Sequence, residues 1–129
     1  VNASSGTMPM PFIQALMAMD FTPVPLSGPP DVKVVDVGIQ RTLTALADRP
    51  GDVVLASHDA DFIPQLAPLV GGRRVGLLAF REFVSTQYAE LIDAGLEVFD
   101  LEHDADSFTH RLPRLRIIPL DEFDPIAFL

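Results

Sequence analysis

Two aspartates that follow a short apolar run are the residues of this chain best suited to chemistry. The run 53–56 leads into Ser57, and Asp59 and Asp61 follow two residues apart. Such a run is typical of a buried strand in a parallel sheet, whose carboxyl end opens into a ligand crevice. Paired carboxylates there suit Mg²⁺ or Mn²⁺, which take oxygen ligands and are completed by water and substrate phosphate. The spacing predicts metal-assisted phosphate chemistry; the alternative is that Asp59 only caps a helix beginning near Phe62.

A third carboxylate, Asp36, lies in the first turn of a helix predicted over residues 32–47. This helix is amphipathic, with apolar residues at helical spacing: Val35, Ile39, Leu43 and Leu46. Helix starts and strand carboxyl ends share one edge of a parallel sheet, so Asp36 can meet Asp59 and Asp61. The alternative role for Asp36 is to complement the helix dipole, an effect of only about 0.3–1 kcal/mol.

Strands and helices that alternate along the chain must position these carboxylates. We predict helices at 9–19, 32–47, 62–70 (with a bend at Pro68) and 84–94, and strands at 21–26, 52–57, 73–80 and 96–101. From the second strand onward, strand and helix follow each other in turn. This order predicts right-handed crossovers and a parallel α/β sheet.

Composition narrows the class of protein. The 129 residues fit one domain, and the 48% hydrophobic content is enough to exclude disorder over the whole chain. Cysteine is absent, which excludes disulfides and thiolate sites. The net charge of −9 counts against nonspecific coating of nucleic acid, and less against a nuclease whose acidic pocket binds metal. The apolar runs are short and no signal peptide is evident, which predicts no membrane contact and a cytoplasmic protein.

Two segments carry a family resemblance. The first is Val35-Asp36-Val37-x-Ile39 on the helix. The second is Ser57-His58-Asp59-Ala60-Asp61-Phe62-Ile63-Pro64, followed by Leu66, Leu69, Gly72 and Arg73-Arg74-Val75. Together they resemble the NYN domain, the LabA-like branch of the PIN-like ribonuclease superfamily, with its Lys-Gly-x-Asp-Val and Ser-Gly-Asp-Ser-Asp-Phe motifs. The resemblance covers roughly residues 21–101.

This resemblance implies a three-layer, parallel-sheet, PIN-like (Rossmann-like) α/β fold that cleaves RNA, most simply single-stranded RNA, with a metal. Asp36, Asp59 and Asp61 would be both the catalytic residues and the ligands of Mg²⁺ or Mn²⁺. The metal would make a hydroxide at neutral pH and stabilise the charge on the phosphate.

The resemblance also assigns four residues to the substrate side. Lys33 would neutralise a phosphate, and Ser57 would hydrogen-bond a ligand carboxylate or a metal-bound water. His58 stands where the family has Gly, so it either faces the substrate or is a half-exposed histidine without a role. Asn2 would be the remnant of the family's Asp-x-x-Asn motif. The strand that carries this Asp is expected ahead of Val1, which is not a Met.

The resemblance places the NYN-type domain at residues 1–110 and leaves 111–129 as a C-terminal tail. The tail is rich in apolar residues: Ile117, Ile118, Leu120, Phe123, Ile126, Phe128 and Leu129. Burial of apolar surface is favourable by about 25 cal/mol per Å². We therefore expect the tail to dock on its own domain or, as the second choice, on a partner subunit in a homodimer. Residues 114–120, or a strand from another subunit, are alternatives for the expected first strand.

Other functions fit the residues less well. A catalytically silent NYN-type domain that binds RNA or protein, and a subunit that assembles through its tail, remain as alternatives. A serine hydrolase is excluded because Ser57 and His58 are adjacent and point to opposite sides of a strand, and because the chain has no Gly-x-Ser-x-Gly motif. His103 and His110 are spaced irregularly in a polar segment, which predicts solvent exposure rather than a metal site.

Overall fold

The computed structural model describes residues 1–4, 6, 8–114 and 118–128. Its α-helices are α1 (Met10–Ala18), α2 (Val34–Leu46), α3 (Ile63–Leu66) and α4 (Ala89–Asp93). Its strands are β1 (Val53–Ala56), β2 (Val75–Ala79) and β3 (Glu97–Asp100). Short 3-10 turns lie at Ala60–Phe62, Ala67–Leu69, Arg81–Phe83, Thr86–Tyr88, Leu120–Glu122 and Pro125–Phe128. Among the described residues, no helix is long and apolar enough to cross a bilayer.

The three strands form one parallel sheet in the order β1-β2-β3. The register places Leu77, on the central strand, opposite both Leu55 of β1 and Val98 of β3. The predicted α/β class and parallel sheet are therefore confirmed. All three carboxyl ends lie at one edge of the sheet, which is called the carboxyl edge below.

One face of the sheet is covered by helices. The hydrophobic core lies on this face and contains residues from the strands, from α2 and from the two segments that connect the strands. These residues are Leu43, Val53, Leu55, Phe62, Leu66, Leu69, Val75, Leu77, Tyr88 and Leu96. Both crossovers advance in the same direction across the sheet. Because such crossovers are right-handed, their helices lie on the same face.

The opposite face of the sheet lacks the second helical layer that was predicted, within the ranges that the structure describes. It presents Val54, Leu78 and Phe99, and Val54 is 60% exposed. Phe99 lies across Gly76, where an added Cβ would come within 2.6 Å of the ring. Both crossovers advance in the same direction, so neither of them contributes a helix to this face.

The predicted strand at 21–26 does not form. Leu26 makes only an isolated parallel bridge with Asn2. Pro23 and Pro25 have no N–H to donate to a ladder, which limits pairing here. The segment packs instead on α2, where Leu26 approaches Gly38 so closely that a side chain at Gly38 would displace it.

Two predicted helices are shorter than expected. Residues 62–70 divide into α3 and a separate 3-10 turn, because Pro68 cannot donate the N–H that a continuous helix requires. Residues 84–94 begin with the 3-10 turn Thr86–Tyr88 before α4. Both elements still connect neighbouring strands as crossovers.

The C-terminal segment contacts the domain at its start. Glu102, which is only 4% exposed, accepts hydrogen bonds from the backbone N–H of Leu112 and from the guanidinium of Arg114. Further along, Leu120 and Ile126 are 88% and 73% exposed. The tail residues Arg116, Ile117 and Leu129 lie outside the described residues.

Candidate functional site

The loop after β1 holds its two aspartates in a fixed backbone conformation. The Oγ of Ser57 accepts the backbone N–H of Asp59 at 3.1 Å. Oδ1 of Asp59 then accepts the backbone N–H of Asp61 at 2.9 Å and caps the turn Ala60–Phe62. The capping role considered for Asp59 is thus present, and Ser57 binds backbone rather than a carboxylate. Both aspartates are nevertheless exposed to solvent.

Tyr88 supports this loop from inside the core. Its hydroxyl donates to the carbonyl oxygen of Asp59 at 2.5 Å, and its side chain is fully buried. Burial, with the nearby negative charges of Asp59 and Asp61, raises the pKa of Tyr88 to about 12. Sequence reasoning missed this contact because 29 residues separate the two partners and no local pattern joins them.

We expect Tyr88→Phe to lower the free energy of unfolding by about 0.5–1.5 kcal/mol, since it removes one hydrogen bond without changing the ring. The pKa of Tyr88 is about 12 in the folded protein and about 10 in an unfolded chain. The stabilisation is therefore fully present below about pH 10 and is lost as the pH rises through about 12. Urea unfolding of both proteins across this range measures the difference.

Subtracting the variant's stability from that of the parent protein cancels the titration of every other group. A difference that stays constant from neutral pH to about pH 12 would show that the Tyr88 phenol does not support the loop in this way.

Helix α2 faces the same loop. The side-chain Nε2 of Gln40 donates to the carbonyl oxygen of Asp61 at 3.4 Å, a long hydrogen bond. Asp36 lies one turn before Gln40, and residues four apart share a helix face. The stripe of α2 that carries Asp36 is thus turned toward the aspartate loop.

Lys33 and Asp36 form an ion pair at the start of α2. Their side-chain atoms are 3.7 Å apart, and the two side chains are 76% and 31% exposed. An exposed pair of this kind stabilises a protein by only about 0–1 kcal/mol. Little free energy therefore holds Lys33 to Asp36, and Lys33 can exchange this partner for an anionic ligand.

The three aspartates do not form a closed metal cage. Across the ranges 1–4, 6, 8–114 and 118–128, no group of three or more His, Cys, Asp or Glu side chains is arranged to hold a metal ion. Asp59 and Asp61 supply hard oxygen donors from one exposed loop. Such a pair fits an open Mg²⁺ site, which keeps several waters and uses one or two carboxylates with substrate phosphate.

His58 has a structural role that its position alone did not reveal. Its Nε2 accepts the backbone N–H of Phe80, the residue after β2, at 2.8 Å. Its ring also stacks on that of Phe80, with centroids 6.0 Å apart and planes 5° apart. Only an unprotonated Nε2 can accept this bond. His58 therefore ties the loop after β1 to the end of β2.

The end of β3 carries a buried carboxylate, Asp100. Its Oδ2 accepts the backbone N–H of Arg81, and its Oδ1 accepts those of His103 and Glu102. These bonds lower the pKa of Asp100 to about 2, with the bond from Arg81 contributing most and that from His103 next. Polar residues follow β3 in the sequence as they follow β1. This pattern could have identified Asp100 as a residue that fixes a loop at the carboxyl edge.

The remaining predicted residues make other contacts or are exposed. The side chain of Asn2 accepts the backbone N–H of Ser4 at 2.9 Å, beside the bridge to Leu26. His103 and His110 are exposed, as predicted.

A cavity of about 730 Å³ lies between the N-terminal segment and α2. Its lining is mainly apolar, and it includes Val35 and Val37 but not Asp36. The Asp36 carboxylate therefore belongs to a different side of α2 from this cavity.

Comparison with protein-family models, with curated proteins and with solved structures finds no match to this chain. What the protein does must therefore be inferred from the residues at the carboxyl edge of its sheet.

Proposed function

We propose that the carboxyl edge of the sheet is the active site of a metal-dependent endoribonuclease of the NYN type. The observation that carries this proposal is the pair of exposed carboxylates, Asp59 and Asp61, in the loop that ends β1. Tyr88 donates a hydrogen bond to that loop from the core, and Gln40, one turn after Asp36 on α2, donates a long one.

The residues of the proposed site would take different roles. Asp59 and Asp61 would hold Mg²⁺ or Mn²⁺ with water in the remaining positions, and Asp36 would have to move toward them from α2 to become a third ligand, since the three carboxylates do not form a metal-binding group in the structure. When bound, the ion supplies a hydroxide near neutral pH and neutralises charge on the phosphate. Lys33, released from its exposed pair with Asp36, would contact a neighbouring phosphate. Tyr88 keeps the loop backbone in place, so that the carboxylates are preorganised.

Single-stranded RNA is the proposed substrate, and the cytoplasm stays the proposed location. With a net charge of −9, the protein as a whole repels a phosphate backbone. A bound cation at Asp59 and Asp61 would attract phosphate at that place alone. This favours a substrate recruited at the active site over one coated along its length.

The test is cleavage of end-labelled single-stranded RNA by the purified protein in Mn²⁺, in Mg²⁺ and in EDTA. The proposal predicts internal cleavage with either metal and none in EDTA. Retention of RNA without turnover in Mn²⁺ would contradict the nuclease and support a silent RNA-binding domain. Equal cleavage in Mn²⁺ and EDTA would indicate a contaminant and would also count against it.

A second candidate function is assembly of a homodimer through the tail. It is favoured by one observation, the exposure of Leu120 and Ile126 at 88% and 73%. Deletion of residues 121–129 is expected to halve the mass measured by light scattering, since it removes apolar surface that a partner would bury. Leu120→Ser with Ile126→Ser should act in the same way, and an unchanged mass in both would contradict assembly through the tail.

A further inference from the structure

Four aromatic rings form a cluster at the carboxyl edge beside the aspartate loop. They come from the loops after β1, β2 and β3: His58, Phe80, Phe83 and Phe108. Phe80 lies between His58 and Phe108, with centroid distances of 6.0 and 5.8 Å and planes 5° and 23° apart. Phe83 stands nearly perpendicular to His58 and Phe80, at 74° and 78°. This group is called the aromatic cluster.

The aromatic cluster is ordered but not buried. Phe83 is 64% exposed and Phe108 is 39% exposed, and neither belongs to the hydrophobic core. The hydrogen bond from the Phe80 N–H to His58 fixes the centre of the cluster. Asp100 fixes the next residue by accepting the backbone N–H of Arg81. A large apolar ring is therefore held in a set orientation while much of its surface faces water.

The turn that carries Phe83 also carries one exposed cation. Arg81 lies in the same turn, and its side chain is 59% exposed even though it pairs with Asp104 at 2.7 Å. At the other end of the cluster, His58 immediately precedes Asp59. Exposed aromatic rings beside a cation bind single-stranded nucleic acid by stacking on unpaired bases.

We propose that Phe83, supported by the Phe80 and His58 rings, is a stacking position for an unpaired nucleobase of single-stranded RNA. This inference rests on the proposed function, because it places the stacked base next to the aspartates where the phosphate would be cleaved. Arg81 would exchange its exposed pair with Asp104 for the adjoining phosphate. Stacking requires only a π-face, so the position accepts any base.

The test is binding of a short RNA that contains 2-aminopurine, whose fluorescence falls when the base stacks. It is done in Ca²⁺, so that a hard cation is available to Asp59 and Asp61, on an RNA with a phosphorothioate backbone that resists hydrolysis, and at physiological ionic strength, which screens the net charge. Phe83→Leu is expected to weaken binding about 10-fold or more and to abolish the quenching, since base–aromatic stacking has an effect of that order. Phe83→Trp is expected to restore both.

Phe12→Leu is the matched control, because Phe12 is 57% exposed on α1, outside the cluster. It is expected to bind RNA like the parent protein. Equal affinity and quenching in Phe83→Leu and the parent would overturn the proposal. The absence of RNA binding by the parent would overturn it too.

The two proposals fail in different ways. Binding that depends on Phe83, without cleavage in Mn²⁺, would remove the nuclease and leave the stacking position intact. Cleavage in Mn²⁺, with binding that does not depend on Phe83, would remove the stacking position and leave the nuclease intact.

Discussion

Asp59→Asn is expected to lower Mn²⁺-dependent cleavage of single-stranded RNA at least about 100-fold while leaving the fold intact. A metal ion contributes several kcal/mol to stabilising the transition-state charge, and each 1.4 kcal/mol corresponds to a factor of ten in rate. Removing the charge of one ligand forfeits much of this effect. The fold is preserved because Asn keeps the Oδ1 that accepts the backbone N–H of Asp61 at 2.9 Å, and Asn caps turns as well as Asp. Single-turnover rates and urea unfolding curves measure both.

Asp93→Asn is the matched control for charge. Asp93 is an exposed residue that ends α4 just before β3, at the sheet edge opposite the aspartate loop. The Asp93→Asn substitution removes the same charge from the protein and is expected to leave the cleavage rate unchanged. If Asp59→Asn cleaves at the parent rate, or if both variants lose activity equally, Asp59 does not hold the catalytic metal.

Asp100→Asn is expected to destabilise the protein more than Tyr88→Phe does. The Asp100 carboxylate accepts three backbone N–H groups, from Arg81, Glu102 and His103. An amide has one acceptor oxygen, and its NH₂ group would face an N–H donor, which leaves buried donors unsatisfied. Because the Arg81 bond also fixes the turn that carries Phe83, the variant should lose affinity for the 2-aminopurine RNA as well.

The pH dependence of this effect follows from the low pKa of Asp100, about 2 in the folded protein against about 4 when unfolded. A lowered carboxyl pKa contributes stability that is present above about pH 4 and lost as the pH falls through about 2. The stability difference between the parent protein and Asp100→Asn should therefore shrink across this range in urea titrations. A difference that is the same at pH 7 and near pH 2 would contradict the role assigned to the ionised carboxylate.

The parts of the fold with a strong periodic signal were predictable from the sequence. The three strands were located to within about two residues, because each is an apolar run that ends in polar residues or a turn. Helix α2 was located by the spacing of Ile39, Leu43 and Leu46. The position of Asp59 and Asp61 at the carboxyl end of β1 followed from the same reasoning and is confirmed by the structure.

The contacts that complete the site were not predictable, because they depend on which elements become neighbours. Tyr88 meets Asp59 only because the second crossover packs against the loop after β1. The aromatic cluster forms only because the loops after β1, β2 and β3 adjoin. The third layer, which is absent among the residues that the structure describes, has the same origin, since periodicity indicates strands and helices but not the direction in which a crossover advances.

The strand order also sets a hierarchy of local opening. Only β2 is hydrogen-bonded on both sides among the described strands, while β1 and β3 each pair along one edge. Opening free energies rise with the number of bonds and buried contacts that must be broken. The loop with Asp59 and Asp61 is thus attached to an outer strand that can loosen without unravelling β2. Local opening can therefore be confined to β1 and its loop while the centre of the domain stays folded.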